Sequence, residues 1–346
     1  MRAVVLRRFG DASALEHGEL EDPLPGRGEV VVAVRAVTTA ALDLRVRSGA
    51  GHRVALPHVL GQDPVGVVAA LGEEAAGVAV GERVAVVAGV ACGACRLCLG
   101  GAGVCARPQV VGLHRHGGQA ELVAVPAGNV VPVPPQIPDG EAAAMALTYP
   151  LAWALVAETA AVRPGERVLV TSAASGVGIA AVRVAQALGA TVAAAAGSDE
   201  KLERCRDALG ADAVFDYTRP EWARAVRRWS GGEGVDVVVA TVLGEGLLQP
   251  SLEALADLGR LVTCGAQGAG EARFDVPSFY RRRQSIAGAS TPGIATARAA
   301  WAAVAAGTLL PPPIFDRFPL AEIAAAHRRI EARRSVGRVV LDVAAG

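Results

Sequence analysis

Apolar residues in the first third of the chain come in short runs broken by glycine turns. VVVAVRAV (30–37), GVVAALG (66–72) and GERVAVV (81–87) read as strands, and GGQAELVAVP (117–126) reads as another. Runs this short, with no helical period between them, predict a compact, mostly antiparallel β unit. A proline-rich stretch, VVPVPPQIP (130–138), marks a boundary. After it the pattern changes. EAAAMALTYPLAWALVAETA (141–160) is helical in composition, and from Glu166 strands alternate with helices. The order is ERVLVTSA, a helix from Val177 to Leu188, TVAAAA, a helix from Asp199 to Leu209, AVFDY, VDVVVAT, a helix around Leu247–Leu258, GRLVTCGA and QSIAGAS. Six strands with crossover helices predict an α/β fold with a doubly wound parallel sheet. The tail holds a helix near Ala295–Ala306, a proline stop at 311–313, a helix over 320–332 and a last strand, RVVLDV, that returns to the first unit. The expected boundaries are 1–125 for the β domain, with a lobe about 88–110, then 126–290 for a Rossmann-type nucleotide domain inserted in it, and 291–346 for the return.

Composition narrows the function classes. The 346 residues carry a formal net charge of zero with no long run of one sign, which argues against nucleic acid as a partner. No apolar stretch approaches the ~20 residues of a membrane span. The opening MRAVVLRRFG has no apolar core or cleavage site of a signal peptide, so a cytoplasmic location and a small-molecule partner are expected. Arginine supplies nearly all the positive charge, since Lys201 is the only lysine. The triplet Arg281, Arg282, Arg283 reads as a solvated strand entry, and His17 and His327 read as surface residues.

Cys92, Cys95, Cys98 and Cys105 follow the spacing C-x2-C-x2-C-x6-C. Each x2 step aims successive sulfurs at one centre, and four thiolates close a tetrahedral zinc shell with no open position. The alternatives are a pair of disulfides or an iron–sulfur cluster. Thiols this close in a reducing compartment hold metal more often than they pair, and the last interval departs from ferredoxin spacing. Cys205 and Cys264 read as inert core thiols.

The segment VLVTSAASGVGIAAVRVAQALGA (168–190) runs from a strand through a tight turn into a helix. Ser175, Gly176, Val177 and Gly178 form the turn and helix start, where free N–H groups and the helix dipole suit a pyrophosphate. A full glycine-rich fingerprint would also have glycine at 173 and 175, where this chain has Ala173 and Ser175. NAD sites carry an acid at the end of the second strand for the ribose 2′-hydroxyl. Gly197 and Ser198 stand there instead, leaving room for a 2′-phosphate. Lys201 and Tyr217 offer a cation and a hydroxyl beside it. NADPH is expected ahead of NADH, with Asp199 and Glu200 as the residues that would favour NADH.

Taken with these motifs, ALDLRVRSG (41–49), GQDPVGVV (61–68), GGQAELVAVP and the ending FPLAEIAAAHRRIEARRSVGRVVL resemble the medium-chain dehydrogenase/reductase superfamily over essentially the whole chain. The ending and the ASGVG loop resemble the quinone oxidoreductases. The cysteine lobe resembles that of the zinc alcohol dehydrogenases, with the last interval one residue shorter than is usual there. The resemblance implies a GroES-like catalytic domain around the Rossmann domain, one structural zinc on Cys92, Cys95, Cys98 and Cys105, and a homodimer or homotetramer. It also implies where a catalytic zinc would be held. Those places carry Ala40, Gln62 with Asp63, and Leu147, which cannot form a site; the quinone reductases have asparagine at the place of Ala40.

The expected activity is therefore NADPH-dependent hydride transfer to an activated C=C of an enone, quinone or enoyl thioester without catalytic zinc. The alternatives are a zinc-independent carbonyl or imine reductase, or an alcohol dehydrogenase-like enzyme, and a non-catalytic, crystallin-like NADPH binder. Tyr149 is the candidate donor to an enolate, with Thr148 beside the nicotinamide. Gln62 is the candidate carbonyl partner. Asp43 is either an organiser of the cleft or a helix N-cap. Asp63 is expected to hold backbone N–H groups, His114 or His116 to face substrate, and Arg338 to approach the cofactor phosphates. His52 and His58 lie in a loop that often walls the substrate pocket in this family.

Overall fold

The computed structural model describes residues 1–244, 246–265 and 271–343. The chain forms two compact units. The first contains 1–147, 291–305 and 314–346, and the second contains 148–290 and 306–313.

The first unit is built on Glu29–Thr39, whose eleven residues are mostly buried. Along one edge it pairs with Leu122–Pro126 and Val339–Asp342, and along the other with Val65–Leu71, all antiparallel. Arg83–Val86 and Val130–Pro132 extend the sheet, and Asp316–Pro319 joins Val339–Asp342 in parallel on the far side. Valines dominate because a β-branched side chain loses little freedom on a pleated surface and packs well there. Val30, Val32, Val34, Val68, Val84, Val86 and Val123 share one core with Leu320, Ile323 and Ala326. The proline segment lies inside this unit, since Val130–Pro132 bonds to Arg83–Val86. The unit boundary therefore falls at Leu147 rather than 125, and 306–313 belongs to the second unit. The strand expected over 117–126 is confined to Leu122–Pro126.

The second unit carries a parallel sheet in the order Ala213–Asp216, Thr191–Ala196, Arg167–Thr171, Val235–Ala240, Leu255–Thr263, Ser285–Gly288. In chain order this is 3-2-1-4-5-6, the doubly wound arrangement of dinucleotide-binding sheets. Its central strands are continuous apolar runs because helices cover both faces. Four differences from the sequence expectation stand out. The helix expected over 141–160 divides into Asp139–Ala146, Thr148–Trp153 and a π-helical turn Ala154–Thr159. The one around Leu247–Leu258 ends at Ala254, and Leu255 begins a strand; Ala266 of the expected GRLVTCGA strand lies outside the described residues. Helices Trp222–Trp229 and Val276–Arg281 were not expected. Arg281 closes that second helix, and Arg281 and Arg283 are exposed ahead of strand Ser285–Gly288 as a solvated strand entry would be, but Arg282 is half-buried, donates to the Leu252 and Leu255 carbonyls and pairs with Asp257. No single helix among the described residues is long and apolar enough to cross a membrane.

Candidate functional site

In the second unit, Arg167–Thr171 ends at Ser172, which adopts the left-handed conformation with φ 52°. The chain turns there and enters the twelve-residue helix Gly176–Ala187. Ser175 is its N-cap, and its hydroxyl accepts from the Gly178 N–H at 3.1 Å. A Cβ on Gly178 would stand 2.3 Å from the Ser172 carbonyl oxygen and 2.8 Å from Ala173 Cα. Glycine is thus required for helix and strand to approach, which is the packing role of the last glycine in a dinucleotide loop. Gly197 follows the next strand, Thr191–Ala196. A Cβ there would meet the Tyr217 ring at 3.0 Å and its hydroxyl at 3.1 Å. Tyr217 therefore occupies the space that an acidic side chain at 197 would need. Ser198 caps helix Asp199–Asp207, accepting from Lys201 N–H at 3.4 Å, and Asp199 and Glu200 lie in its first turn. The loop, the cap and the Gly197–Tyr217 contact fit a pyridine dinucleotide bound by its phosphates and ribose.

Tyr149 and Thr148 begin the helix Thr148–Trp153, and both are buried. The Tyr149 hydroxyl donates to the Leu310 carbonyl at 2.7 Å, and burial pushes its pKa far above the phenolic range. A phenol so committed has no hydrogen left for an enolate. This geometry corrects the expected donor role and makes Tyr149 a packing residue.

In the first unit the four lobe cysteines converge, with all four sulfurs within 4.8 Å of one another. Cys95 Sγ lies 3.4 Å from Cys98 Sγ and 4.0 Å from Cys105 Sγ. These separations exceed a disulfide bond, about 2.05 Å, and bracket the roughly 3.8 Å between thiolates that share a tetrahedral zinc. The Cys92 and Arg107 backbone N–H groups both point at Cys105 Sγ, 3.3 Å away. Backbone N–H groups, that of Ala106 first, draw the Cys95 thiol down to about 6. Amides aimed at sulfur suit thiolates, so the donor set fits a structural zinc. Cys205 is buried and Cys264 half-buried, and burial raises both thiols to about 11, as expected of inert core residues.

The same unit buries two carboxylates. Asp63 is fully buried and accepts from Thr38 N–H at 2.9 Å, from Thr38 Oγ1 at 2.6 Å and from Arg338. Arg338 is thereby paired within the unit through Nη2, while its Nε has no partner among the described residues. Asp43 stands third in helix Ala41–Ser48, not at its N-cap, and reaches back to the Ala40 N–H at 2.8 Å. Burial lifts its pKa to about 6 against the opposing pull of Arg338 and the Ala40 and Gly61 backbone. Gln62 is 7% exposed. His114 and His116 each accept a backbone N–H at Nδ1, from Val110 and Val59. Their ring protons therefore sit on Nε2, and neither neutral ring keeps a lone pair for a metal. His58 is buried beside His116, with ring centroids 5.2 Å apart. His327, expected at the surface, is fully buried and bonds to Thr39 and Arg47. One signal for it was legible: Ile323, Ala326, His327 and Ile330 follow helical spacing, so His327 lies on the apolar stripe.

Known proteins match both units. Residues 26–135 match the family model for the alcohol dehydrogenase GroES-like domain, and 176–306 match that for zinc-binding dehydrogenases. A solved NAD-dependent alcohol dehydrogenase is 40% identical with a TM-score of 0.93, and the match covers 99% of this chain and 100% of that one. The chain belongs to the medium-chain dehydrogenase/reductase superfamily. Other members extend the comparison. The CurK enoyl reductase structure is 27% identical with a TM-score of 0.80, covering 99% of this chain and 98% of that one. A mycocerosic acid synthase-like polyketide synthase of Mycobacterium tuberculosis is 30% identical over 348 residues, 98% of this chain. The chain spans about 15% of the length of that relative.

Membership makes this chain an oxidoreductase that uses a pyridine nucleotide. It also sharpens the meaning of the first unit. Ala40, the N-cap of Ala41–Ser48, and Leu147 carry side chains with no metal ligand, and Gln62 offers only an amide. Asp63 cannot serve in their place, because Thr38 and Arg338 already occupy its oxygens.

Proposed function

We propose that this protein is an NADPH-dependent reductase of activated carbon–carbon double bonds, with enoyl thioesters as the substrate class. The observation that carries the reading is the loss of every side chain able to hold an electrophilic metal at Ala40 and Leu147, with Gln62 left as a buried amide. Alcohol oxidation draws several kcal/mol from a Lewis acid that steadies the alkoxide. An enoyl thioester needs less help, because its own carbonyl carries the charge as an enolate. When bound, NADPH supplies the hydride. Such a reduction would leave negative charge on the thioester oxygen until a proton from water reached the α-carbon. Gln62 donates to the thioester oxygen; one well-placed donor is worth roughly 10²–10³ in rate. The cofactor preference rests on Gly197, whose neighbour Tyr217 takes the place of the acid that an NAD ribose would meet. Lys201 and Ser198 stand at the same turn for a 2′-phosphate. Zinc on Cys92, Cys95, Cys98 and Cys105 has a bracing role only, since a closed shell offers no position to substrate.

A carbonyl or alcohol reading is favoured by the 40% identity to an NAD-dependent alcohol dehydrogenase. The two separate by product. Purified protein is given NADPH or NADH with a crotonyl thioester and with a matched saturated ketone, and products are read by mass spectrometry. The expected result is saturated thioester, NADPH ahead of NADH, and one zinc per chain. Alcohol as the main product, or two zinc ions per chain, would overturn the reading. Cofactor binding with no turnover on a broad acceptor panel would leave only a crystallin-like binder.

A further inference from the structure

We propose that His327 and Thr39 are positioning residues for the site: with Arg47 they form a hydrogen-bond chain of fixed polarity that orients the Asp43 carboxylate, and through it the backbone at Ala40 and Gly61. The polarity follows from valence. Arginine has no acceptor, so the Arg47 Nη1 contact with His327 Nδ1 at 3.1 Å uses the nitrogen lone pair. Neutral His327 then carries its proton on Nε2 and donates to Thr39 Oγ1 at 2.9 Å. With that lone pair taken, the Thr39 hydroxyl turns its own hydrogen to Asp43 Oδ2 at 3.4 Å, the longest link. Arg47, His327, Thr39 and Asp43 are 3%, 0%, 0% and 6% exposed, so water does not substitute for any member. The outer end is held by Glu331 at Arg47 Nη2 and by the Gly10 carbonyl at Nε.

A proton conduit is the competing reading of such a chain. It fails at Arg47, which does not give up a proton in a protein. The chain therefore transmits orientation and charge preference. Arg338 and Asp63 face Asp43, and Arg47 faces His327, with Asp11 and Glu331 acting on Arg47 from the neighbouring elements. Asp43 in turn holds Ala40 N–H and the Gly61 backbone, the residues at and beside two of the vacated metal-ligand positions. What that alignment serves rests on the reductase reading; the alignment itself does not.

The test reads Asp43 directly, by carboxyl NMR of aspartate-labelled protein, with Asp43→Asn identifying the signal. Thr39→Val keeps the shape and removes the hydroxyl. His327→Asn still accepts from Arg47 but is too short to reach Thr39. Removing a donor to the charged form raises a carboxyl pKa. Both variants are expected to raise that of Asp43 by about one unit, and Thr39→Ser to restore it. In the thioester assay, kcat/KM of Thr39→Val is expected to fall about tenfold with its acid limb moved to higher pH, and that of Thr39→Ser to stay within about twofold. Asp43 titrating at one pH in all these proteins would overturn the proposal. If no acceptor is turned over, the reductase reading falls while the titration still decides this inference.

Discussion

Asp43 costs the fold free energy when it ionises, because burial raises its pKa from 3.8 to about 6. Its contribution to stability is complete below pH 3.8 and is lost as pH rises through about 6. His327 behaves in the opposite sense. Burial, and then the Arg47 charge, lower its pKa from 6.5 to about 3, so its contribution is present above pH 6.5 and is lost as pH falls toward 3. Each contributes a slope of about 1.4 kcal/mol per pH unit while it titrates in one state only. Between about pH 4 and 6 the slopes oppose each other. Denaturant unfolding across that window should therefore show Asp43→Asn losing stability relative to wild type as pH falls, and His327→Asn gaining it. Parallel profiles for the three proteins would contradict this account. The surface reading of His327 overlooked its helical spacing with Ile323, Ala326 and Ile330, and its partners Thr39 and Arg47 lie about 280 residues away in sequence, where no local pattern reports such contacts. Gly178 was legible for the opposite reason, since its constraint comes from a turn a few residues long. Gly178→Ala should abolish dinucleotide binding as read by fluorescence titration, because the added methyl lands 2.3 Å from a carbonyl oxygen.

The cysteine lobe shows what an element needs in order to stand alone. Its one helix, Arg96–Leu99, has four residues, none of them buried. One turn of helix does not repay its nucleation, and Cys95 is the only lobe cysteine classed as buried. Metal is expected to supply the missing free energy. Chelation, or Cys98→Ser, should open 92–105 to limited proteolysis and lower Tm, while the parallel sheet keeps its far-UV signal. A lobe equally resistant with and without metal would refute this. Elsewhere, local propensity lost to pairing. SLEALADL favours helix, but Leu261, Val262 and Thr263 bond beside Val238, Val239 and Ala240, and that ladder draws Leu255 onward into the sheet. Helix Trp222–Trp229 buries Trp222, Ala223 and Val226 at helical spacing, a short apolar stripe set among four arginine and tryptophan positions that read as charged surface.

At the scale of the whole molecule, the order of domains was readable because a 3-2-1-4-5-6 sheet needs only alternating strands and helices. The boundary was not, since prolines signal a turn without saying which sheet the next strand joins. Among the described residues one strand of the parallel sheet, Ser285–Gly288, has a neighbour on one side only, with Ile286 37% and nearby Leu258 69% exposed. An open edge carrying apolar side chains invites a second strand.

Val339–Asp342 lies between Asp316–Pro319 and Glu29–Thr39, so the sheet of the first unit is completed by residues about 300 positions after it begins. On the ribosome, the nucleotide-binding unit has all its segments by residue 313 and can close while synthesis continues. The amino-terminal β segments must wait, with one side of Glu29–Thr39 only partly covered, until Val339 emerges. That interval is when a nascent chain would be most exposed to chaperones and to misassembly.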